Sequence, residues 1–362
     1  MIKRDYSLLS RNGREAVESG LSQADWYQTE LSRKEMKSFM QRSDQPAIRD
    51  TLILFSLMVL SATGGIFFWG SANAIPFWLV YGVLYGSAMD SRWHECGHGT
   101  AFRTPWMNDW LYQVASFTMI RNPTRWRWSH SRHHTDTIIV GRDPEIVATR
   151  PVSFTKLLLS FTGIPDLIQG LKQMLINATG KLCAEEASYI PEMERHKVTQ
   201  VARIWLLIYL VTLLLAAVFV SWIPLMLVGL PRLYGAWHHV LTGLTQHAGL
   251  ADNVIDHRLN SRTVYMNPIS RFIYWNMNYH AEHHMFPTVP YHQLPKLHER
   301  LKEDMPAPSR SILSAYRECI PTLWRQRTDP ETYVIRPLPT SAKPYKVVAN
   351  TQTHTENLTQ ST

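Results

Sequence analysis

The sequence predicts an all-α integral membrane protein: four transmembrane helices in two hairpins, with a cytoplasmic helical cap that holds a metal site. Three observations predict it. Residues 51–89 contain no Asp, Glu, Lys or Arg, and residues 204–251 contain a single charge, Arg232. A spanning helix needs about 20 apolar residues, so each block is long enough for two. Lys and Arg avoid the middle of both blocks: residues 1–50 carry nine and 90–203 carry fourteen, but 70–74 and 221–225 carry none. That asymmetry places both termini and the 90–203 connection in the cytoplasm. Finally, nine of the sixteen histidines stand in clusters near the ends of these blocks.

Taken in order, residues 1–50 read as a polar cytoplasmic segment with short helices. The first ten residues lack an uncharged stretch long enough for a cleavable signal peptide, so none is expected. The core domain runs over 51–297. Its first hairpin, 51–89, has legs Thr51–Trp69 and Ala74–Met89 with Gly70–Asn73 as the turn. In the cytoplasmic region 90–203, Asn108–Ile120 is too short to span and reads as an interfacial or buried helix. Phe154–Ile176 mixes Leu and Ile with Lys156, Asp166 and Lys172, which predicts an amphipathic helix on the membrane surface. The second hairpin, 204–251, has Ile204–Ile223 as its first leg and turns at Pro224. The returning leg carries Arg232, His238 and His239, so it is stable in lipid only if those groups face inward. Residues 252–297 hold the last histidine cluster. In 298–362 the remainder of a short soluble helix, Lys296–Asp304, is followed from about Thr328 by a Pro-, Thr- and Gln-rich tail expected to be disordered.

Composition narrows the function. Charged residues make up 18%, below the roughly 25% of ordinary soluble chains. The mean hydropathy of −0.18 averages two apolar blocks with a polar remainder. Cys96, Cys183 and Cys319 are too scattered for a disulfide framework or a cysteine metal knuckle. The net charge of +8 is accounted for by topology and anionic lipid headgroups, with no nucleic acid partner. Arg121–Trp128 interleaves Arg and Trp beside a histidine cluster; interfacial anchoring is the favoured role, and docking of an acidic electron donor the second.

The clusters are His94-Glu-Cys-Gly-His98, His130-Ser-Arg-His133-His134, a single His247, and His280-Ala-Glu-His283-His284. Residues three and four apart share a helix face, so each cluster can aim two or three imidazoles at one point. Neutral imidazole ligates iron, zinc, copper or nickel. Nine exceed the needs of one ion, and two metals would share them. The stretch 94–98 also fits the helical zinc-protease pattern with Glu95 as base. That reading leaves both His-x-x-His-His clusters unused, and a non-catalytic metal carrier would bind metal without consuming O2.

These boxes around two membrane hairpins resemble the membrane fatty acid desaturase superfamily, over roughly Thr51 to Leu297. Gly141-Arg-Asp-Pro-Glu145 and Asn276–Pro287 are most similar to its bacterial rhizopine-oxygenase-like branch. The resemblance implies a non-haem di-iron centre held by His94, His98, His130, His133, His134, His280, His283 and His284. His247 matches an additional ligand between the second and third boxes. Many acyl-CoA desaturases have Asn four residues before it, where this chain has Gly243.

By that resemblance the enzyme uses O2 and two iron ions to desaturate or hydroxylate an unactivated C–H bond of a lipid or hydrocarbon. The alternative it implies is a monooxygenase or demethylase of a small polar molecule. Electrons are expected from a separate ferredoxin-like protein and its reductase, and the location is a bacterial inner membrane with the active site facing the cytoplasm.

Groups behind the ligands should fix the imidazoles through their second nitrogen. By proximity the candidates are Asp136, Asp143, Glu145, Asn278 and Glu282, with Glu95 as a further one and His239 as a possible lining residue. His196, His257, His292, His298 and His354 read as ordinary, and Cys96 as a small buried residue.

Overall fold

The computed structural model describes residues 4–346, and within them the chain is helical, with two isolated bridges, Thr263 to Tyr279 and Val264 to Ser309, in place of strands. The N-terminal segment forms α1 (Arg11–Glu18), whose first turn is capped by the Ser10 hydroxyl, and α2 (Arg33–Phe39), which opens with a reciprocal Ser32–Glu35 capping box. The helix expected as the first leg is α3 (Asp44–Phe67). It starts seven residues before the apolar block because the polar turns through Asp50 continue the same helix. Asp44 also receives the Thr104 N–H and hydroxyl, both at 2.8 Å. After a turn at Gly70 (φ +84°) comes α4 (Ala74–Val83). It passes without a break through a wide π turn, Leu84–Ala88, into α5 (Met89–Gly97). The returning leg and the first histidine box are therefore one rod.

The chain continues with α6 (Pro105–Met119) and α7 (Pro123–Thr135). The amphipathic stretch expected over 154–176 is two helices, α8 (Phe154–Ser160) and α9 (Ile164–Ala178). Gly163 (φ +69°) divides them, and a Cβ there would lie 2.2 Å from the Arg232 carbonyl oxygen. Leu158, Leu159, Ile168 and Leu175 of this pair are exposed. The short α10 (Ala184–Tyr189) leads to α11 (Arg195–Val218), the first leg of the second hairpin. A single turn, α12 (Ile223–Leu227), precedes the returning α13 (Pro231–His247). Then follow α14 (His257–Asn260), α15 (Pro268–Ile273), α16 (His280–Met285) and α17 (Leu294–Leu301). The last of these is the short helix expected at 296–304, shifted so that Leu294, Leu297 and Leu301 are buried.

Two helical stretches, Arg33–Phe67 and Glu192–Val218, are long and apolar enough to cross a membrane. Only 33% and 17% of their apolar windows are buried, so their apolar faces are not core. The expected returning legs correspond to the short α4 and the less apolar α13, whose polar groups do face inward. Arg232 is 1% exposed, donating to the Gly86 carbonyl at 3.0 Å and pairing with Asp166 at 3.1 Å. His238 meets the Ser87 hydroxyl at 2.7 Å, and His239 meets Asp90 at 3.0 Å.

Small residues let these legs touch backbone to backbone. A Cβ on Gly235 would sit 1.8 Å from the Gly82 carbonyl oxygen, whereas one on Gly243 of the same helix meets nothing within 4 Å. Gly235→Ala is therefore expected to destabilise by at least the upper end of the about 1–3 kcal/mol typical of overpacking. Gly243→Ala should raise or hold the unfolding midpoint in detergent, and equal midpoints for the two variants would remove the close crossing.

At the C-terminus the structure adds a helix and places part of the segment expected as a tail. Helix α18 (Ile312–Arg325), not singled out above, packs on α13, with the Tyr316 hydroxyl on the Leu241 carbonyl at 2.9 Å. Residues 328–346 of the expected disordered tail lie along the body. Arg336 is buried there on the carbonyls of Arg258 and Ser261, and Arg258 donates to the carbonyls of Lys343 and Pro344. The cause is buried arginines that need acceptors, which the polar composition of the segment hides. The terminal stretch from 347 lies outside the described residues.

Candidate metal centre

Each histidine box is carried on the end of a helix. His94 and His98 finish α5, His130, His133 and His134 finish α7, His247 ends α13, and His280, His283 and His284 fill α16. These ends converge, and all nine imidazoles meet in two groups. One holds His94, His98, His130, His134 and His283; the other holds His133, His247, His280 and His284. Within each group the ligand nitrogens lie within 4.8 Å of one another. The boxes do not aim whole at one point, as spacing alone suggested. Consecutive helix residues diverge by about 100°, so His133 and His134 serve different groups, and so do His283 and His284.

The nitrogen spacing has a specific chemical meaning. Nε2 of His130 is 3.1 Å from that of His98 and 3.2 Å from that of His134, and His283 and His134 are 3.3 Å apart. In the second group, His280 lies 2.9 Å from His247 and 3.0 Å from His284. Carboxylate and carbonyl acceptors on the far side show which nitrogens carry hydrogen. His130 Nδ1 donates to Glu145 at 2.9 Å, His133 Nδ1 to Asp143 at 2.8 Å, and His247 Nδ1 to the Asn260 carbonyl at 2.7 Å. In the neutral ring the Nε2 of these three is then a bare lone pair facing other imidazoles. With metal–nitrogen bonds of about 2.0–2.1 Å, adjacent ligands at a right angle stand about 3.0 Å apart. The residues present fit a cation in each group.

Electrostatics agree. Burial, reinforced by the neighbouring imidazoles, holds His94, His98, His134, His280, His283 and His284 well below the ordinary histidine value, in the neutral form that binds metal. Burial pushes His133 down too, but Asp143 outweighs it and the net shift is upward. Burial pushes Glu145 up, but His130 and His133 outweigh it and bring its carboxyl down to about 2.

Of the sequence-predicted supporting residues, Asp143 and Glu145 do hold clustered histidines, His133 and His130. Asp136 does not: it pairs with Arg142 at 3.0 Å. Asn278 donates to the Val264 carbonyl, and His238 and His239 stay with Ser87 and Asp90. Glu282 acts at one remove, accepting from His298 Nδ1 at 2.6 Å and from the Thr263 hydroxyl, and so pins α16 from behind. His298, expected to be ordinary, is thus a buried structural group, 2% exposed. His257 is buried as well, stacked on Trp26 at 4.3 Å and 5.2 Å from the His284 ring. Cys96 is fully buried and belongs to neither group, as expected.

Glu95 is fully buried, with one oxygen 3.5 Å from His94 Nδ1 and 3.7 Å from His283 Nδ1. Its other oxygen accepts from the Tyr291 N–H at 3.1 Å and the Thr100 hydroxyl at 3.3 Å. The first oxygen has no hydrogen-bond partner of its own among the described residues, and the carboxyl, removed from water, lies between the first box and the third. Thr137 at 3.2 Å from His284 Nδ1 and the Asn260 carbonyl were missed. Nothing in their residue types signals the role.

A cavity of about 370 Å³ opens over the first group, with His94, His98, His130 and His134 in its wall beside Trp93 and Tyr112.

The comparisons with known proteins point the same way. The sequence profile described as "Fatty acid desaturase" matches residues 69–315, most of the chain. The chain belongs to the fatty acid desaturase family, a family of oxidoreductases. It is 33% identical over 79 residues to "Omega-6 fatty acid desaturase, endoplasmic reticulum isozyme 1" of Glycine max, covering 21% of this chain and 20% of that protein. Over 67 residues it is 31% identical to "sn-1 acyl-lipid omega-3 desaturase (ferredoxin)" of Synechocystis, 18% of each chain. A longer match, 26% identical over 158 residues, is to "Delta(12) acyl-lipid conjugase (11E,13E-forming)" of Impatiens balsamina, 38% of this chain and 40% of that protein. The chain spans about one fifth to two fifths of the length of these relatives.

Proposed function

We propose that this protein is an O2-dependent di-iron desaturase or hydroxylase of a lipid or hydrocarbon chain, embedded in a bacterial inner membrane by four helices. The observation that carries the reading is the division of nine buried imidazoles into two groups, one of five and one of four, with converging lone pairs. His94, His98, His130, His134 and His283 would hold one iron, and His133, His247, His280 and His284 the other. Bound there, two ferrous ions supply O2 activation and the removal of hydrogen from an unactivated C–H bond. The chain's own residues do the rest. Asp143, Glu145 and the Asn260 carbonyl keep Nδ1 protonated, so that His133, His130 and His247 present Nε2 to the metal. Trp93 and Tyr112 wall the cavity with apolar surface, which positions a substrate carbon and keeps water from it.

Membrane topology follows from the exposed faces. Leu52, Val59, Leu60 and Phe67 on α3, and Leu207, Leu210, Leu214 and Val218 on α11, are more than half exposed. That pattern suits lipid, and α4 with α13 would complete the two hairpins. The basic connection between hairpins sets the cap and both termini in the cytoplasm. A ferredoxin-like protein with its reductase would deliver the two electrons.

Metal analysis and labelled oxygen test the proposal. About two irons per chain are expected. With donor proteins and 18O2, membrane lipids should gain either an unlabelled double bond or a labelled hydroxyl. One zinc per chain would overturn the reading. Label appearing only in a small polar substrate, or in formaldehyde released from one, would transfer it to the monooxygenase or demethylase alternative.

A further inference from the structure

The cavity over the first histidine group has a chemical character that the metal site does not explain. Its lining includes Arg42, Arg127 and several hydroxyls, but not one carboxylate. Arg42 is exposed and makes no ion pair among the described residues. Arg127 lies over the Tyr112 ring, 4.9 Å from its centroid, and touches Asp109 at 3.2 Å, with both partners about half exposed or more. Such an exposed pair contributes little, so its arginine is free to exchange partners. Stacking on Tyr112 meanwhile holds the guanidinium at the cavity.

The mouth also has a definite level. Asp44, two residues after Arg42, is bound to Thr104 just before α6, which fixes the start of α3 against that helix. On α6, Trp110 packs 5.9 Å from Phe55 of α3, and Trp106 and Trp110 are 63% and 52% exposed. Exposed Trp beside an apolar helical leg marks a membrane–water interface. The cavity's volume lies at the low end of the about 300–1,000 Å³ of ligand sites. It is a seat for one end of a molecule and too small for a long chain as a whole.

We infer that this cavity seats the anionic end of the substrate, a carboxylate or phosphate gripped between Arg42 and Arg127, with the adjoining apolar part against Trp93 and Tyr112. Guanidinium groups match both anions through paired hydrogen bonds, which makes the site selective for charge and shape together. The inference rests on the proposed C–H oxidation at the histidine groups. It adds that the oxidised molecule carries a negative charge at the end nearest the first group. The anion has two sources, the headgroup of an interfacial lipid or a small soluble molecule.

Quenching of tryptophan fluorescence by brominated ligands tests it on the full-length, iron-loaded protein in neutral detergent. The probes are dibromostearate and its methyl ester, with inorganic phosphate and butyrate as competitors. Dibromostearate is expected to half-saturate at a concentration at least tenfold below that of the ester. Trp93→Phe should remove part of the quenching. Arg42→Gln and Arg127→Gln should erase the preference for the acid, and Arg127→Lys should restore part of it. Displacement by millimolar butyrate or phosphate supports the site and assigns it to a small anion; resistance to both supports it and assigns it to a lipid headgroup. Equal affinity for acid and ester, or an acid preference that survives both glutamine variants, overturns the inference. So does a result in which those variants only slow reduction by ferredoxin, which would make the arginines a donor-docking face. Iron content separates this failure from failure of the proposed function. The arginine variants should still bind about two irons per chain, and a protein that binds none in any form overturns the metal reading instead.

Discussion

His133→Ala and His134→Ala are each expected to cost at least one of the two proposed irons and to lower turnover more than about 100-fold, since even the group behind a ligand is worth about 10–100-fold. The two residues are adjacent in sequence but part company in space. On α7, His134 shares a face with His130, four residues earlier, and their Nε2 atoms are 3.2 Å apart. His133 is turned away from them, with its ring 4.8 Å from that of His284 and 5.3 Å from that of His247. Each substitution therefore opens a different group, leaving four imidazoles in the first or three in the second. His196→Ala serves as the control, because His196 is exposed at the start of α11 and belongs to neither group. Iron per chain by elemental analysis, together with product formed, reads the result. Full iron and full turnover in either variant would remove that histidine from the ligand set.

The histidine clusters were legible because helical spacing is a local property. Three boxes at i, i+3 and i+4 intervals, near long uncharged blocks, need no tertiary information to be noticed. The division into groups was not, since it depends on how four helix ends from residues 94 to 284 are aimed at one another. Proximity in sequence was an uneven guide to the supporting residues. It found Asp143 and Glu145, which the chain brings back to α7 through the turn at Gly141 (φ +77°). It also proposed Asp136 and Asn278, which are as close to the boxes but turn to Arg142 and to the Val264 carbonyl. It passed over the Asn260 carbonyl, a backbone atom that no residue type announces. The inward Arg232 was anticipated as a condition of burial in lipid. Its partners were not, because the Gly86 carbonyl that it uses lies in the π turn, and neither composition nor periodicity marks that turn.

The site is also braced from a distance. Gly13 of α1 is so close to Gly141 that a Cβ on Gly13 would stand 2.4 Å from the Gly141 carbonyl oxygen. The N-terminal helix thus backs the loop that bears Asp143 and Glu145. From the opposite side, Gln28 donates to the Met285 carbonyl at 3.1 Å and Tyr27 to Asp304 at 2.6 Å, which ties the same N-terminal segment to the third box. The polar segment before the first hairpin is part of the frame that keeps helix ends from three distant stretches in register. Rigid support of this kind is what a ligand set assembled from separate helices requires.

Asp143→Asn is expected to weaken metal binding by about 10–100-fold while leaving the fold intact. The Asp143 carboxylate works with both oxygens: Oδ2 accepts from His133 Nδ1 and from the Ile138 N–H, each at 2.8 Å, and Oδ1 accepts from the Glu145 N–H at 2.8 Å. An asparagine keeps the shape but replaces one acceptor with an NH2. If the NH2 takes the Oδ2 position it faces two donors, and the ring must release its Nδ1 proton or rotate. If it takes the Oδ1 position it faces the Glu145 N–H and disturbs the backbone that carries the Glu145 carboxylate to His130. In either orientation a second-box histidine loses its support. Because Asp143 touches one ligand directly and reaches the other only through Glu145, the second group should lose metal first. Chelator competition on the purified protein measures the loss, and the unfolding midpoint of the apo form checks that the fold is retained. Asp136→Asn supplies the comparison: it is equally near α7 but paired with Arg142, and it should leave chelator resistance unchanged. Equal chelator sensitivity of the two variants would show that the hydrogen bond to His133 does not hold the metal.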